Sequence, residues 1–221
     1  MTAVSDEGRL NAKADELIEE LRSSARPRLI VISGPSGVGK DTIIEQMRLA
    51  HSEYAFTVTA TTRPRRPGEI DGVHYYFMSP AEFHEMRARN EFVESAEVYG
   101  HFYGVPRGRI RNALASGKNG VVKVDVQGAA SLRRVIPTGG VFIFLAPPSM
   151  ADLTHRLRSR KTDEPEALME RIATASRELE RAWEFDYVVF NENGIVDKAL
   201  AAIDAIICAE NARIHQHPLE L

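Results

Sequence analysis

The sequence is poor in several features that would set it apart from ordinary globular enzymes. It has one cysteine, Cys208, so no disulfide can close within the chain, and no cysteine–histidine spacing suits zinc. Cys208 reads as a core residue on a helix face. No apolar run approaches the ~20 residues needed to span a bilayer. The acidic N-terminus lacks the apolar stretch of a secretion signal, so the expectation is a cytoplasmic chain with no membrane partner. Basic charge is not in excess: the formal net charge is −3, which argues against broad nucleic-acid binding. Internal repeats and low-complexity linkers are missing too. What remains is 43% hydrophobic and 27% charged over 221 residues, enough for one α/β domain with a small inserted lobe and a proper core.

The chain alternates short apolar runs with helical patterns. Residues 1–26 form a leader with Leu10, Ala14, Leu17, Ile18 and Leu21 at helical spacing. That stripe could dock on the domain or on a second subunit, or belong to a simple appendage. Residues 29–33, 120–125, 141–145 and 187–190 read as buried strands. Helices are expected at about 40–50, 107–116, 128–135 and 195–212, with an Arg-rich helical stretch over 150–182. Residues 55–105 break the rhythm. They are rich in Thr, Arg, Tyr and Gly, with short strand-like pieces and one helix near 80–89, which suits an inserted lobe. Strands alternating with helices imply a parallel sheet covered on both faces.

Gly34-Pro35-Ser36-Gly37-Val38-Gly39-Lys40 lies between an apolar strand and a helix. In that context glycines let the backbone curl so that successive N–H groups point inward at phosphate oxygens. The helix N-terminus adds partial positive charge, and Lys40 adds a full one for the β and γ phosphates of a bound ATP. The next residue is Asp41, where such loops carry a Ser or Thr whose hydroxyl faces Mg2+; Thr42 follows directly. At ~4 Å from a phosphate charge, Asp41 would cost about 4 kcal/mol at an effective dielectric of 20, so a cation or basic side chain must offset it.

With these residues in view the chain resembles the guanylate kinase family over about residues 28–212. Thr61-Thr62-Arg63-Pro64-Arg65-Arg66-Pro67-Gly68-Glu69 is similar to that family's T-T-R-x-x-R-x-G-E segment. Gly72-Val73-His74-Tyr75-Tyr76-Phe77, Phe92-Val93-Glu94, Gly100-His101-Phe102-Tyr103-Gly104 and Val124-Asp125-Val126-Gln127-Gly128 follow in the family's order. The resemblance implies a P-loop NTPase three-layer α/β fold with a parallel central sheet, an inserted mixed α+β GMP-binding lobe and a helical lid. The expected boundaries are a core of 27–54, 106–149 and 183–212, a lobe of 55–105, a lid of 150–182 and a tail of 213–221. It further implies Mg-dependent transfer of the ATP γ-phosphoryl group to GMP, and to dGMP, by a monomer or homodimer in purine nucleotide metabolism. Thr59, Arg63, Arg66, Tyr75, Glu94, Tyr103 and Asp125 would hold GMP. Arg156, Arg160 and Arg171 would close over ATP beside Lys40, and Asn191 would contact adenine or the nearby loop. Forked guanidiniums suit a dianionic phosphate. A carboxylate at Glu94 can accept from both N1–H and the 2-amino group of guanine, a donor pair adenine lacks.

Two further positions depart from the family pattern. Val105 stands where a guanine-bonding Ser or Thr is usual, a loss of about 0.5–1.5 kcal/mol that throws selectivity onto Glu94. Lys123 stands where an acid is usual. An acid gained at 41 and a base gained at 123 suggest that the two pair, or that Asp41 joins the outer shell of Mg2+. Two rival readings share the sequence: a guanylate-kinase-like binding module without catalysis, and a P-loop kinase for another small phosphorylated acceptor.

Overall fold

Leu29–Ser33 is buried at all five positions, so this strand, β1, needs apolar cover on both faces and takes the middle of a parallel sheet. In the computed structural model, which describes residues 6–23, 26–98, 100–158, 165–214 and 219, five strands lie in the order β2-β7-β1-β8-β9. They are β2 (Ala55–Thr57), β7 (Gly120–Lys123), β8 (Gly140–Ala146) and β9 (Tyr187–Phe190) beside β1, and every pairing is parallel. On one face the core is made by Ile43 and Met47 of α2 (Lys40–Ala50), Leu153 and Leu157 of α6 (Met150–Arg158), Ala175 of α7 (Pro165–Glu180) and Ile203 and Ile207 of α8 (Val196–Asn211). On the other, Ile110 of α4 (Arg107–Ala115) and Ala129 and Leu132 of α5 (Val126–Val135) pack with Val31, Val122 and Phe142. The three layers are those expected for a P-loop fold.

A second sheet, order β4-β3-β6-β5, is inserted between β2 and α4. Its strands are β3 (Ala60–Thr61), β4 (Tyr76–Phe77), β5 (Phe92–Val98) and β6 (His101–Pro106); β3 and β4 run parallel and the other pairs antiparallel. α3 (Pro80–Ala88) opens on a capping box between Ser79 and Glu82 and buries Phe83 against Phe92 and Phe102.

Four expectations shift. Residues 55–57 were expected in the inserted lobe but form the edge of the central sheet, because the Ala55 N–H bonds the Asn119 carbonyl and the strand runs in register with β7. The strand expected over 120–125 stops at Lys123. The chain turns there so that Asp125 can cap α5, its carboxylate accepting the Gly128 N–H at 2.7 Å, and the helix starts at 126 rather than 128. Cys208 is exposed: the core face of α8 runs through Ala199, Ile203, Ile207 and Glu210, and position 208 falls off it. The leader is helical, α1 (Asp6–Ser23), but Leu10, Leu17, Ile18 and Leu21 lie open on its surface. Among the described residues no helix is long and apolar enough to cross a membrane.

Candidate active site

Between the two sheets lies a cavity of about 370 Å³ into which the phosphate loop, the inserted sheet and α7 all project. The loop is shaped by glycines that could not be replaced. Gly34 sits at φ 139° against the Leu145 carbonyl, and Gly39 at φ 104° against the Asn191 amide; a β-carbon would collide at either. Ser36, Gly37, Gly39, Lys40 and Asp41 line the cavity. Val38 turns the other way into the core, and Thr42 is exposed on α2. The Lys40 ammonium donates to the Gly34 carbonyl at 2.5 Å and the Pro35 carbonyl at 3.1 Å, so the loop grips its own lysine. Burial pushes the Lys40 pKa down, and Glu178, Asp41 and Asp125 offset part of that fall.

The inserted sheet supplies the opposite wall. Arg63 is nine-tenths buried, donating to Glu69 and to the Pro64 carbonyl, both at 2.7 Å, with its guanidinium 5.4 Å from the Tyr75 ring centre. Glu69 also accepts the Arg66 N–H at 2.7 Å, so one carboxylate fixes both arginines. Arg66, Tyr75 and Tyr103 line the cavity, the two tyrosine rings meeting edge-on at 6.1 Å. Thr59 donates to the Lys123 carbonyl at 3.1 Å. Glu94 stands apart from the other groups. It is 7% exposed and lines the same cavity, and its Oε2 is buried with no hydrogen-bond partner among the described residues. Burial, and then the nearby Asp125 carboxylate, raise its pKa to about 8. Val105, directly across the β5–β6 pairing from Glu94, is fully buried among Val93, Ile110 and Val124 and offers the cavity nothing.

The acid–base exchange at 41 and 123 is a contact. The Lys123 ammonium forms an ion pair with Asp41 Oδ1 and lies 4.2 Å from the Tyr75 ring centre. Desolvation pulls its pKa down, but Tyr75 and Asp41 outweigh that and hold it above the ordinary value.

On the α6–α7 side the expectations need correction. Arg171 does line the cavity, its guanidinium 3.5 Å from Ser36 Oγ. Arg156 does not. It donates to the Val38 carbonyl (2.9 Å), the Asn191 carbonyl (2.7 Å) and Asn193 Oδ1 (2.6 Å), bracing the loop from behind. The guanidinium turns inward because these oxygens offer it three acceptors, the Val38 carbonyl being shared with the Asn191 amide. Asn191 is likewise beneath the loop, its amide donating to the Val38 carbonyl at 2.8 Å, rather than open to a base. Arg160 lies outside the described residues. Sequence reasoning missed Glu178, whose Oε2 accepts the Ser36 N–H at 3.1 Å and which faces Lys40. Its position seven residues after Arg171, hence on the same helix face, is the signal that would have found it.

A family model described as Guanylate kinase matches residues 26–210. A protein of Thermosynechococcus vestitus named Guanylate kinase is 45% identical over 188 residues, covering 84% of this chain and 97% of that one. Guanylate kinase 2, chloroplastic/mitochondrial, of Oryza sativa subsp. japonica is 43% identical over 203 residues, 92% of this chain and 71% of that protein. The crystal structure of guanylate kinase from Anaplasma phagocytophilum superposes with a TM-score of 0.71 at 29% identity, covering 86% of this chain and 89% of that one.

Proposed function

Since the chain belongs to the guanylate kinase family and transfers the γ-phosphoryl group of ATP to GMP, we propose that it does so by holding the two nucleotides in this one cleft, donor phosphates on the Lys40 loop and guanine on Glu94. The observation that carries the assignment of the two ends is Glu94, a buried carboxyl with an orphaned Oε2 that lines the cavity shared with Lys40. A buried acceptor without a donor is costly, and the N1–H and 2-amino groups of guanine supply the donors it lacks.

Arg63 and Arg66, set by Glu69, clamp the acceptor phosphate with the Tyr75 and Tyr103 hydroxyls. An oxygen of that phosphate attacks the γ-phosphorus in line and ADP departs. No general base is needed, because the attacking phosphate is already anionic, so the work is positioning and charge neutralisation. Lys40 and Arg171 supply the neutralisation from the donor side, and Asp125 holds the turn that carries α5 beneath the guanine site. Arg156, Asn191 and Glu69 act by bracing the groups that touch nucleotide.

For Mg2+ the donor set is thin. Among the described residues no cluster of three His, Cys, Asp or Glu side chains could hold a metal, and the loop hydroxyl is replaced by Asp41. Such a set fits an ion carried mainly by triphosphate oxygens and water, with Asp41 in its outer shell. When bound, the ion would supply positive charge that neutralises the phosphates during transfer. The setting we propose is the cytoplasm.

ADP release measured with GMP, dGMP, AMP, CMP and UMP as acceptors, with and without Mg2+, tests this reading. Turnover confined to the guanine nucleotides and dependent on Mg2+ is expected. Equal turnover of AMP would overturn the role of Glu94.

A further inference from the structure

Lys123 occupies the ground between the phosphate loop and the arginine pair. The β1–β7 register sets it beside Ile32, just before the loop begins. Its ammonium reaches Asp41 on the first turn of α2 and the Tyr75 ring on the inserted sheet, and Thr59 holds its carbonyl at 3.1 Å. Two segments therefore fix its backbone and two its side chain, which lines the cavity with Lys40, Arg63 and Arg66.

The exposures of the pair show which partner serves which. The Asp41 side chain is 62% exposed and the Lys123 side chain 13%. Before nucleotide arrives, an acid so open to water does not depend on a buried partner, since solvent and surface counter-ions screen it. A buried ammonium, in contrast, needs an anchor. The acid holds the base in the cleft.

We propose that Lys123 is a catalytic residue of the transfer, its ammonium binding an equatorial oxygen of the moving phosphoryl group while Asp41 keeps it aimed. The proposal rests on the reading of the cleft given above. In the step, an acceptor phosphate oxygen forms the new P–O bond. The bond from the γ-phosphorus to the β–γ bridging oxygen breaks, with its electron pair leaving on ADP. Lys123 keeps its protons throughout and offsets charge spread over the equatorial oxygens.

Lys123→Met keeps an unbranched side chain of similar length beside Tyr75 and removes the charge. It is to be compared with Lys123→Arg, Asp41→Ala and the double variant Asp41→Ala/Lys123→Met, by steady-state ADP formation with ATP and GMP and by thermal melting. The expected result is a kcat lowered about 100-fold in Lys123→Met, in the range set by loss of one charge-stabilising group. Both KM values should stay within about threefold, Lys123→Arg should recover at least about a tenth of the lost rate, and the double variant should be as slow as Lys123→Met. Recovery of the double variant toward full activity would show that Lys123 only neutralises Asp41, and would overturn the proposal. So would an unchanged kcat, or a loss confined to KM. If Lys123→Met fails to fold, the same comparison is made with Lys123→Gln. These outcomes are separable from failure of the functional reading, in which the unaltered chain itself would leave GMP idle.

Discussion

Binding of GMP should drive a proton off the protein, and Glu94 is the reason. Its carboxyl is 7% exposed, has no hydrogen-bond partner at Oε2 among the described residues, and has a pKa raised to about 8 by burial and by Asp125. At pH 7 it is therefore about nine-tenths protonated. Guanine presents two donors and demands the ionised form, so each binding event at pH 7 releases about 0.9 proton from this group. The ionised fraction climbs about eightfold between pH 7 and pH 8.5, and GMP affinity should strengthen by that factor over the same range. Calorimetry of GMP binding in two buffers of different ionisation enthalpy measures the proton count, and Glu94→Gln subtracts the part due to the nucleotide phosphate. A count that does not differ between the unaltered chain and Glu94→Gln at pH 7 would refute the reasoning. So would affinity that weakens as pH rises toward 8.5.

The same raised pKa has a consequence for folding. The unfolded carboxyl ionises near 4.5 and the folded one at about 8, so the native state holds the extra proton between them and stability falls as pH rises through that window. The penalty at pH 7 is on the order of 3 kcal/mol; ligand-free Glu94→Gln should be more stable than the unaltered chain in urea at pH 7.5 and no more stable at pH 4, and a uniform gain or loss would count against the burial argument. Arg156→Ala removes the guanidinium donor of the Asn191 carbonyl and one of two side-chain donors to the Val38 carbonyl, so urea unfolding should show a loss of about 1–3 kcal/mol, against little change if the arginine only guards the cavity. Lys40→Met should lower kcat by about 10³-fold or more while GMP affinity by calorimetry stays within about twofold; a large loss of GMP binding would mean that the two halves of the cleft do not act separately. Gly39→Ala forces a left-handed backbone on a residue already against Asn191, and ATP binding should vanish while the melting temperature falls.

Much of this architecture is written locally. Leu29–Ser33 followed by the glycine loop and Lys40 announces strand, phosphate cradle and helix within a dozen residues, because each depends on neighbours in the chain. The Asp41–Lys123 pair was also legible, since two charge changes of opposite sign implied one contact even across 82 positions. What escaped depends on tertiary acceptors. Arg156 and Asn191 carry side chains suited to a nucleotide, yet buried carbonyls at Val38 and Asn191 claim the arginine, and the Val38 carbonyl also claims the Asn191 amide. No local pattern reveals an unsatisfied carbonyl on another element. Residues 55–57 went to the wrong sheet for a similar reason: Ala55–Thr57 is too short to show which layer it joins, and only its pairing with β7 decides that.

The division of labour within the cleft is tested most directly by the ratio of kcat/KM for GMP to that for AMP, measured for the unaltered chain and for Glu94→Gln. A high ratio that collapses by about 100-fold or more on substitution is the expected result, since a site built to pair two donors strongly rejects a base lacking them. A ratio left standing in Glu94→Gln would mean that guanine is read by some other group.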